Sequence, residues 1–251
     1  MGEPLIRIVG LYKSFGDRKA LEDIHLEVYP GEIMVIMGPS GCGKTVLLKH
    51  LIGLLHPDAG EVLVDGQRIH SLHERELNRL RQRIGIVFQT SALFDSMTVG
   101  ENVAFPLRQH RKLPEWEVQR LVREKLTMVG MEGTEHLFPS ELSGGMRKRV
   151  AIARALVLEP EILLYDEPTA GLDPIMSRAI DELIMRLRRE LGVTSLVVTH
   201  DLHTAFSVAD RIAVLDEGRI IEVGTREEIR NSKNPVVIRF LQAGTPPSKV
   251  S

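Results

Sequence analysis

Three groups of residues have the types and spacings to act on phosphates. The first is Gly38-Pro39-Ser40-Gly41-Cys42-Gly43-Lys44-Thr45, which fits G-x-x-x-x-G-K-[ST]. Glycines there let the backbone bend until successive N–H groups point inward, an anion nest at a helix N-terminus. Lys44 adds a mobile cation that can reach β- and γ-phosphates, and the Thr45 hydroxyl can sit on Mg²⁺. The second group is Asp166-Glu167, straight after the run Ile162-Leu163-Leu164-Tyr165. Beside a phosphate loop, a carboxylate emerging from a sheet edge orients Mg²⁺. The adjacent Glu167 can polarise a water as general base. The third is Leu142-Ser143-Gly144-Gly145-Met146. A serine and two glycines open a helix there, whose N-terminus is a second anion site. One nucleotide needs only one phosphate loop, so this second site suggests that two copies of the chain share two nucleotides.

The elements that must position these groups can be read around them. Ile33-Met34-Val35-Ile36-Met37 is a near-continuous apolar run, the pattern of a parallel strand covered on both faces. A helix-like stretch, Val46 to Leu55, follows the loop. Leu5 to Val9 and Ile24 to Val28 read as strands, the second alternating as a half-buried antiparallel strand does. Leu11 to Asp17 reads as a loop carrying Tyr12 and Phe15. Glu61 to Gly66 enters a hairpin on Asp65-Gly66, and Ile84 to Phe88 is another buried strand ending at Gln89. From residue 90 to 160 helical periodicity takes over. Pro114 opens a helix with Val118, Leu121, Val122, Leu126 and Val129 on one face, and Trp116 in its first turn is expected to anchor it. The helix of the third group places Met146, Val150, Ala153 and Val157 on one face, and Arg147-Lys148-Arg149 is expected to solvate it or make ion pairs. A helix from Pro174 to about Leu191 ends at Gly192. Ser195 to His200 is a buried strand, and residues 211–223 form a hairpin. Thr225-Arg226-Glu227-Glu228 has capping-box spacing. These readings define an α/β core from 1–89 and 161–240, an inserted helical subdomain from 90–160, and a flexible tail from 241–251.

The chain has 251 residues, 43% hydrophobic and 26% charged, enough to bury a core and stay soluble. A net charge of −2 gives no support to a nucleic-acid binder that relies on a basic surface. A single cysteine excludes an internal disulfide and fits a reducing compartment. Met1-Gly2-Glu3-Pro4 lacks the basic and apolar regions of a signal peptide. No apolar stretch approaches the ~20 residues of a membrane span, so membrane contact is expected only through partners. Cys42 lies at a variable position of the loop and has no base partner, so a small side chain that fits the loop is its expected role. His200 and His203 have i, i+3 spacing, but His200 ends a strand, which fits a phosphate contact better than a metal site.

Six motifs in order over residues 5–240 resemble the ATP-binding subunit of an ABC transporter. Gly38 to Thr45 matches the Walker A loop, Gln89 the Q-loop and Leu142 to Met146 the signature. Ile162 to Asp166 matches the Walker B strand, Gly171-Leu172-Asp173 the D-loop, and His200 the switch histidine. The resemblance implies a P-loop NTPase fold: a RecA-like mixed sheet core with an antiparallel β subdomain and an inserted α-helical subdomain. It implies that ATP and Mg²⁺ are the cofactors. Phe15 would stack on adenine, with Tyr12 as the alternative. Gly38, Pro39, Ser40, Gly41, Cys42, Gly43, Lys44 and Thr45 would hold phosphates. Thr45, Gln89 and Asp166 would hold or orient Mg²⁺. Glu167 and His200 would be catalytic, the base and a γ-phosphate contact. Ser143, Gly144 and Gly145 would complete the site of a second copy, with Asp173 at the dimer seam. The usual signature ends in Gln where this one has Met146; the phosphate-facing residues are intact.

The stretches SALFDSMTVGENVAFPLRQH, PSELSGGM and DEPTAGLDP are similar to ATPase subunits of Mla-type systems, which move phospholipids between bacterial membranes. That similarity implies a homodimer docked on an integral membrane permease dimer and paired with an MCE-type substrate-binding protein. It places the chain peripherally, on the cytoplasmic face of the inner membrane. Residues 89–108 are rich in apolar residues and suit a groove for a short partner helix; Leu93, Phe94 and Phe105 fit a subdomain core equally well. An ABC transporter for another cargo is the alternative. A soluble ABC-type ATPase of DNA repair or translation would carry a coiled-coil insertion or two cassettes. A small-molecule kinase would leave Ser143-Gly144-Gly145 and His200 without a role.

Overall fold

The computed structural model describes residues 2–243. The chain forms two compact units, one from Met1–His73 and the chain from Leu196 onward, the other from Glu74–Ser195. It therefore enters the first unit, builds the second, and returns.

In the first unit, β1 (Ile6–Phe15) and β2 (Arg18–Val28) are antiparallel. Ile6, Ile8, Leu11, Ile24, Leu26 and Val28 are buried from the two strands. The loop expected over Leu11 to Asp17 is instead mostly strand. Register shifts between Ile8 and Ser14 break the two-residue period, yet Leu11 is fully buried and the pairing resumes to Phe15↔Arg18. Only Gly16-Asp17 turns the chain. β3 (Ile33–Met37) follows, every residue buried as its apolar run requires. The phosphate-loop segment leads into α1 (Lys44–Leu51). β4 (Ala59–Val64) pairs with the other side of β1, and β5 (Gln67–Arg68) closes the hairpin on Asp65-Gly66. This antiparallel sheet has the order β2-β1-β4-β5.

The second unit opens with α2 (Glu74–Gln82), which buries only Leu77 and Leu80. β6 (Ile84–Val87) runs parallel to β7 (Ile162–Asp166), with Ile84 opposite Ile162 and Val87 opposite Tyr165. Three α-helices lie between them in sequence: α3 (Val99–His110), α4 (Glu115–Met128) and α5 (Gly144–Leu156). α3 starts at a full capping box in which Thr98 and Glu101 each bond the other's backbone N–H. Asn102, fully buried, accepts from the Phe94 N–H and donates to the carbonyls of Phe94, Met97 and Thr98, which fixes the approach to that helix. α4 is anchored by Val118, Val122 and Leu126, not by Trp116, which is 65% exposed. Two residues of helix are ~200° of rotation, so the indole points away from the Val118 face. α6 (Pro174–Leu191) begins on Asp173 and ends at left-handed Gly192, as its sequence predicts.

β8 (Thr194–Thr199) starts in the last residues of the second unit and carries the chain back. α7 (Leu202–Val208), β9 (Arg211–Asp216), β10 (Arg219–Thr225), α8 (Arg226–Arg230) and α9 (Pro235–Ala243) complete the first unit. β3 pairs parallel to β9 and neighbours β8, giving the local order β10-β9-β3-β8. α8 carries the capping box read at Thr225 and Glu228. Residues 241–243 belong to α9, and the rest of the expected tail, 244–251, lies outside the described residues.

Candidate functional site

β3 ends at Met37 and runs straight into Gly38, which is buried. The Gly38 N–H donates to the Thr199 carbonyl at 3.3 Å, so the loop is tied to the end of β8, one residue before His200. A side chain on Gly38 could not fit: its Cβ would lie 2.0 Å from the Leu215 carbonyl oxygen. Gly43, the N-cap of α1, has φ 113°, and its Cβ would meet the Ala20 oxygen at 2.6 Å. Gly43 has no side chain with which to cap α1, and the first N–H groups of a helix point back toward the segment before it, the arrangement that attracts an anion. Lys44 is 6% exposed and its Nζ donates to the Gly38 and Pro39 carbonyls at 2.7 and 3.0 Å. Ser40, Gly41 and Thr45 are exposed. Cys42 is buried, and burial pushes its thiol up despite the nearby Lys44 charge, the opposite of what a nucleophile needs.

Phe15 and Tyr12 are both exposed, but they sit differently. Phe15 pairs across the hairpin with Arg18, whose guanidinium donates to the Gly41 carbonyl at 3.0 Å. Tyr12 instead pairs with Ala59 on the β4 side. Phe15 therefore stands at the loop's rim. Arg18 is a loop contact that the sequence reading missed, because nothing in its local spacing announces the bond. His200 is exposed just past β8. His203 is exposed on α7, and no group of three or more metal-ligating side chains occurs among the described residues.

The second unit holds the remaining groups. Val87 of β6 lies opposite Tyr165 of β7, so Gln89 and Glu167, each two residues further on, leave the same end of this parallel pair. Gln89 is exposed, whereas Asp166 and Glu167 are buried. Glu167 has φ 47°, a left-handed conformation that a side-chain-bearing residue rarely takes and that concentrates at functional sites. Ser143 N-caps α5, its Oγ accepting from the Met146 N–H at 3.3 Å. Gly145 is buried, and a Cβ on it would lie 2.2 Å from the Met176 Cε. Asp173 caps α6, accepting from the Ile175 and Met176 N–H groups at 2.9 Å. The signature and the residue read as the dimer seam are thus joined through the first turn of α6.

The basic run on α5, expected to solvate the helix or make ion pairs, divides: Arg147 is exposed, Arg149 half-buried and Lys148 buried. Arg147 donates to the Leu142 carbonyl and Arg149 to the Val129 carbonyl. Lys148 is 3% exposed and donates to the Gln89 carbonyl at 2.5 Å and the Glu167 carbonyl at 3.2 Å. Burial pushes its ammonium down to about 8, and the Asp166 and Glu167 charges oppose that shift. Its position was detectable in one respect: Ala151 and Ile152, at i+3 and i+4, are apolar and prove buried, which puts Lys148 on the inward face. The stretch after β6 also divides. Val99, Val103, Ala104 and Leu107 of α3 are core. Phe94 and Phe105 meet with ring centroids 4.9 Å apart and line a groove of about 500 Å³ with Ile86, Phe88, Arg154 and Leu158.

The profile of the family described as ABC transporter matches residues 21–170. The chain is 46% identical over 236 residues to the probable ribonucleotide transport ATP-binding protein mkl of Mycobacterium leprae, covering 94% of this chain and 68% of that protein. It is 44% identical over 242 residues to the intermembrane phospholipid transport system ATP-binding protein MlaF of Haemophilus influenzae, covering 96% and 92%. The fold matches the dimeric ATP-binding cassette MJ0796, solved in a post-hydrolysis state bound to ADP and Pi. The TM-score is 0.81 at 35% identity, over 88% of this chain and 98% of that one. The chain belongs to the ABC transporter family, as an ATP-hydrolysing ATP-binding subunit. Among the described residues no helix is long and apolar enough to cross a membrane.

Proposed function

We propose that this chain powers phospholipid transport between the inner and outer membranes, working as a head-to-tail homodimer docked on a membrane permease dimer. The observation that carries this reading is the near end-to-end match to MlaF, 96% of this chain and 92% of that protein. An MCE-type substrate-binding protein completes the assembly, and the chain sits at the cytoplasmic face of the inner membrane. The groove beside Phe94 and Phe105 receives a short permease helix, as its apolar lining and openness to the surface support.

The site residues take these roles. Phe15 stacks on adenine, and its place at the rim of the loop supports it over Tyr12. The nest from Gly38 to Thr45 holds the phosphates. Lys44 exchanges its bonds to the Gly38 and Pro39 carbonyls for phosphate oxygens. Thr45, Gln89 and Asp166 offer a hydroxyl, an amide and a carboxylate, the oxygen donors that a hard cation such as Mg²⁺ takes. When bound, that ion neutralises charge developing on the phosphates. Glu167 polarises the attacking water, and His200 contacts the γ-phosphate. Ser143, Gly144 and Gly145 of one copy close on the nucleotide of the other, with Asp173 at the seam. Hydrolysis then places ADP and phosphate side by side, and their repulsion favours reopening.

The 46% identity to a protein named for ribonucleotide transport favours a second cargo reading. Copurification with the membrane partner, followed by mass spectrometry of bound small molecules, separates the two. Phospholipid is expected. Ribonucleotide bound in the transport path, with no lipid, would overturn the phospholipid reading and leave the ATPase assignment standing.

A further inference from the structure

Lys148 carries a charge into the second unit where packing alone would be served by an apolar side chain. A buried ammonium is costly unless its hydrogen bonds repay it. Its partners are two backbone carbonyls, those of Gln89 and Glu167, which belong to segments leaving the parallel strands β6 and β7. Both segments are held in unusual shapes. Glu167 has φ 47°, and Ser91 and Ala92, just past Gln89, have φ 64° and 47°. Such conformations persist only where the surroundings over-determine them. α5 does so on both sides. Arg154 of that helix donates to the Ser91 carbonyl at 2.8 Å and the Ala92 carbonyl at 2.6 Å. Lys148 reaches the two segments at once.

We propose that Lys148 is a positioning residue for hydrolysis, referring the backbone of Glu167 to the segment that begins at Gln89. The inference rests on the reading of Glu167 as the base. Arg154 and Phe94 line the groove proposed for the permease helix, so a partner seated there presses on the same segment. Through one ammonium, a shift of residues 89–92 reaches the carbonyl of Glu167 and changes the aim of its carboxylate.

The test uses the full transporter complex with K148M, K148Q and E167Q. K148M keeps an unbranched side chain one atom shorter and removes every donor; K148Q keeps a neutral donor. In K148M, kcat is expected to fall at least ~10-fold, since small misplacements of a reacting group are that costly, while KM and ATP affinity stay within ~2-fold. Amide exchange at residues 89–92 and 167–170 should quicken in K148M. K148Q should fall between K148M and the wild type, and it carries the test if K148M does not fold. A wild-type kcat in K148M would overturn the proposal. So would a joint fall in kcat, ATP affinity and Tm, which is the signature of a merely structural lysine. E167Q at the wild-type rate, with K148M still slow and its exchange quickened, would place the error in the base assignment and leave Lys148 as a positioning residue.

Discussion

Lys44 and Lys148 are both buried, and both donate to backbone carbonyls, yet the two regions use the same chemistry in opposite ways. Lys44 holds Gly38 and Pro39, its own loop, six and five residues back. Lys148 holds Gln89 and Glu167, 59 and 19 residues away. Lys44's bonds to Gly38 and Pro39 lie inside the loop that would hold the phosphates, which suits a side chain that must transfer to phosphate. A cation that joins separate segments cannot move without releasing both, which suits a strut. Lys125, also buried, shows the third possibility: Glu124 and Glu159 meet its charge directly. Reach along the chain, rather than burial, separates these lysines.

If the two regions divide the work in this way, damage to them must split between binding and turnover. The largest effect is expected from E167Q. Losing a general base costs about 10²–10⁴-fold in rate, and this variant should still bind ATP and accumulate as a nucleotide-sandwiched dimer. Steady-state phosphate release and gel filtration with ATP check both parts, and hydrolysis at the wild-type rate would remove Glu167 from its role. K44A should do the reverse, weakening ATP affinity about 10- to 100-fold by removing charge-assisted bonds to phosphate. Isothermal calorimetry reads this directly. Unchanged affinity would contradict the loop assignment, and a K44A variant that binds normally but turns over slowly would erase the contrast between the two lysines.

The same contrast explains what was legible in the sequence. The phosphate loop could be read because its demand is written in its own residues: Gly43 sits at φ 113°, a conformation that glycine takes most readily. α6 could be read for the same reason, with Asp173 as cap, Pro174 at the first position and Gly192 at the end. Lys148 could be read only as far as its inward face, because its partners are chosen by the pairing of β6 with β7 and no spacing near residue 148 encodes them. The strand over Leu11 to Phe15 was hidden by register shifts that break the two-residue period. α2 was hidden by having only two buried residues in nine. Trp116 misled through size, since bulk says nothing about which face of a helix a residue occupies.

Cys42 should give the smallest effect, and it tests whether anything in the phosphate loop beyond its backbone and Lys44 matters for turnover. The thiol is buried, its sulfur lying 2.9 Å from where a Cβ on Gly38 would stand, so it packs inside the loop rather than at its mouth. Burial holds it protonated, which denies it nucleophilic character. Serine has nearly the same shape and leaves every backbone N–H of the nest in place. C42S should therefore keep ATP affinity and hydrolysis within ~2-fold of wild type, with a fall in Tm of a few degrees at most, because a buried hydroxyl replaces a group that behaves as a small hydrophobe. Thermal melting and phosphate release on the same preparation check this. Complete loss of hydrolysis with the melting curve unchanged would assign the sulfur a chemical role, and the loop could then no longer be treated as a backbone cradle served by one mobile lysine.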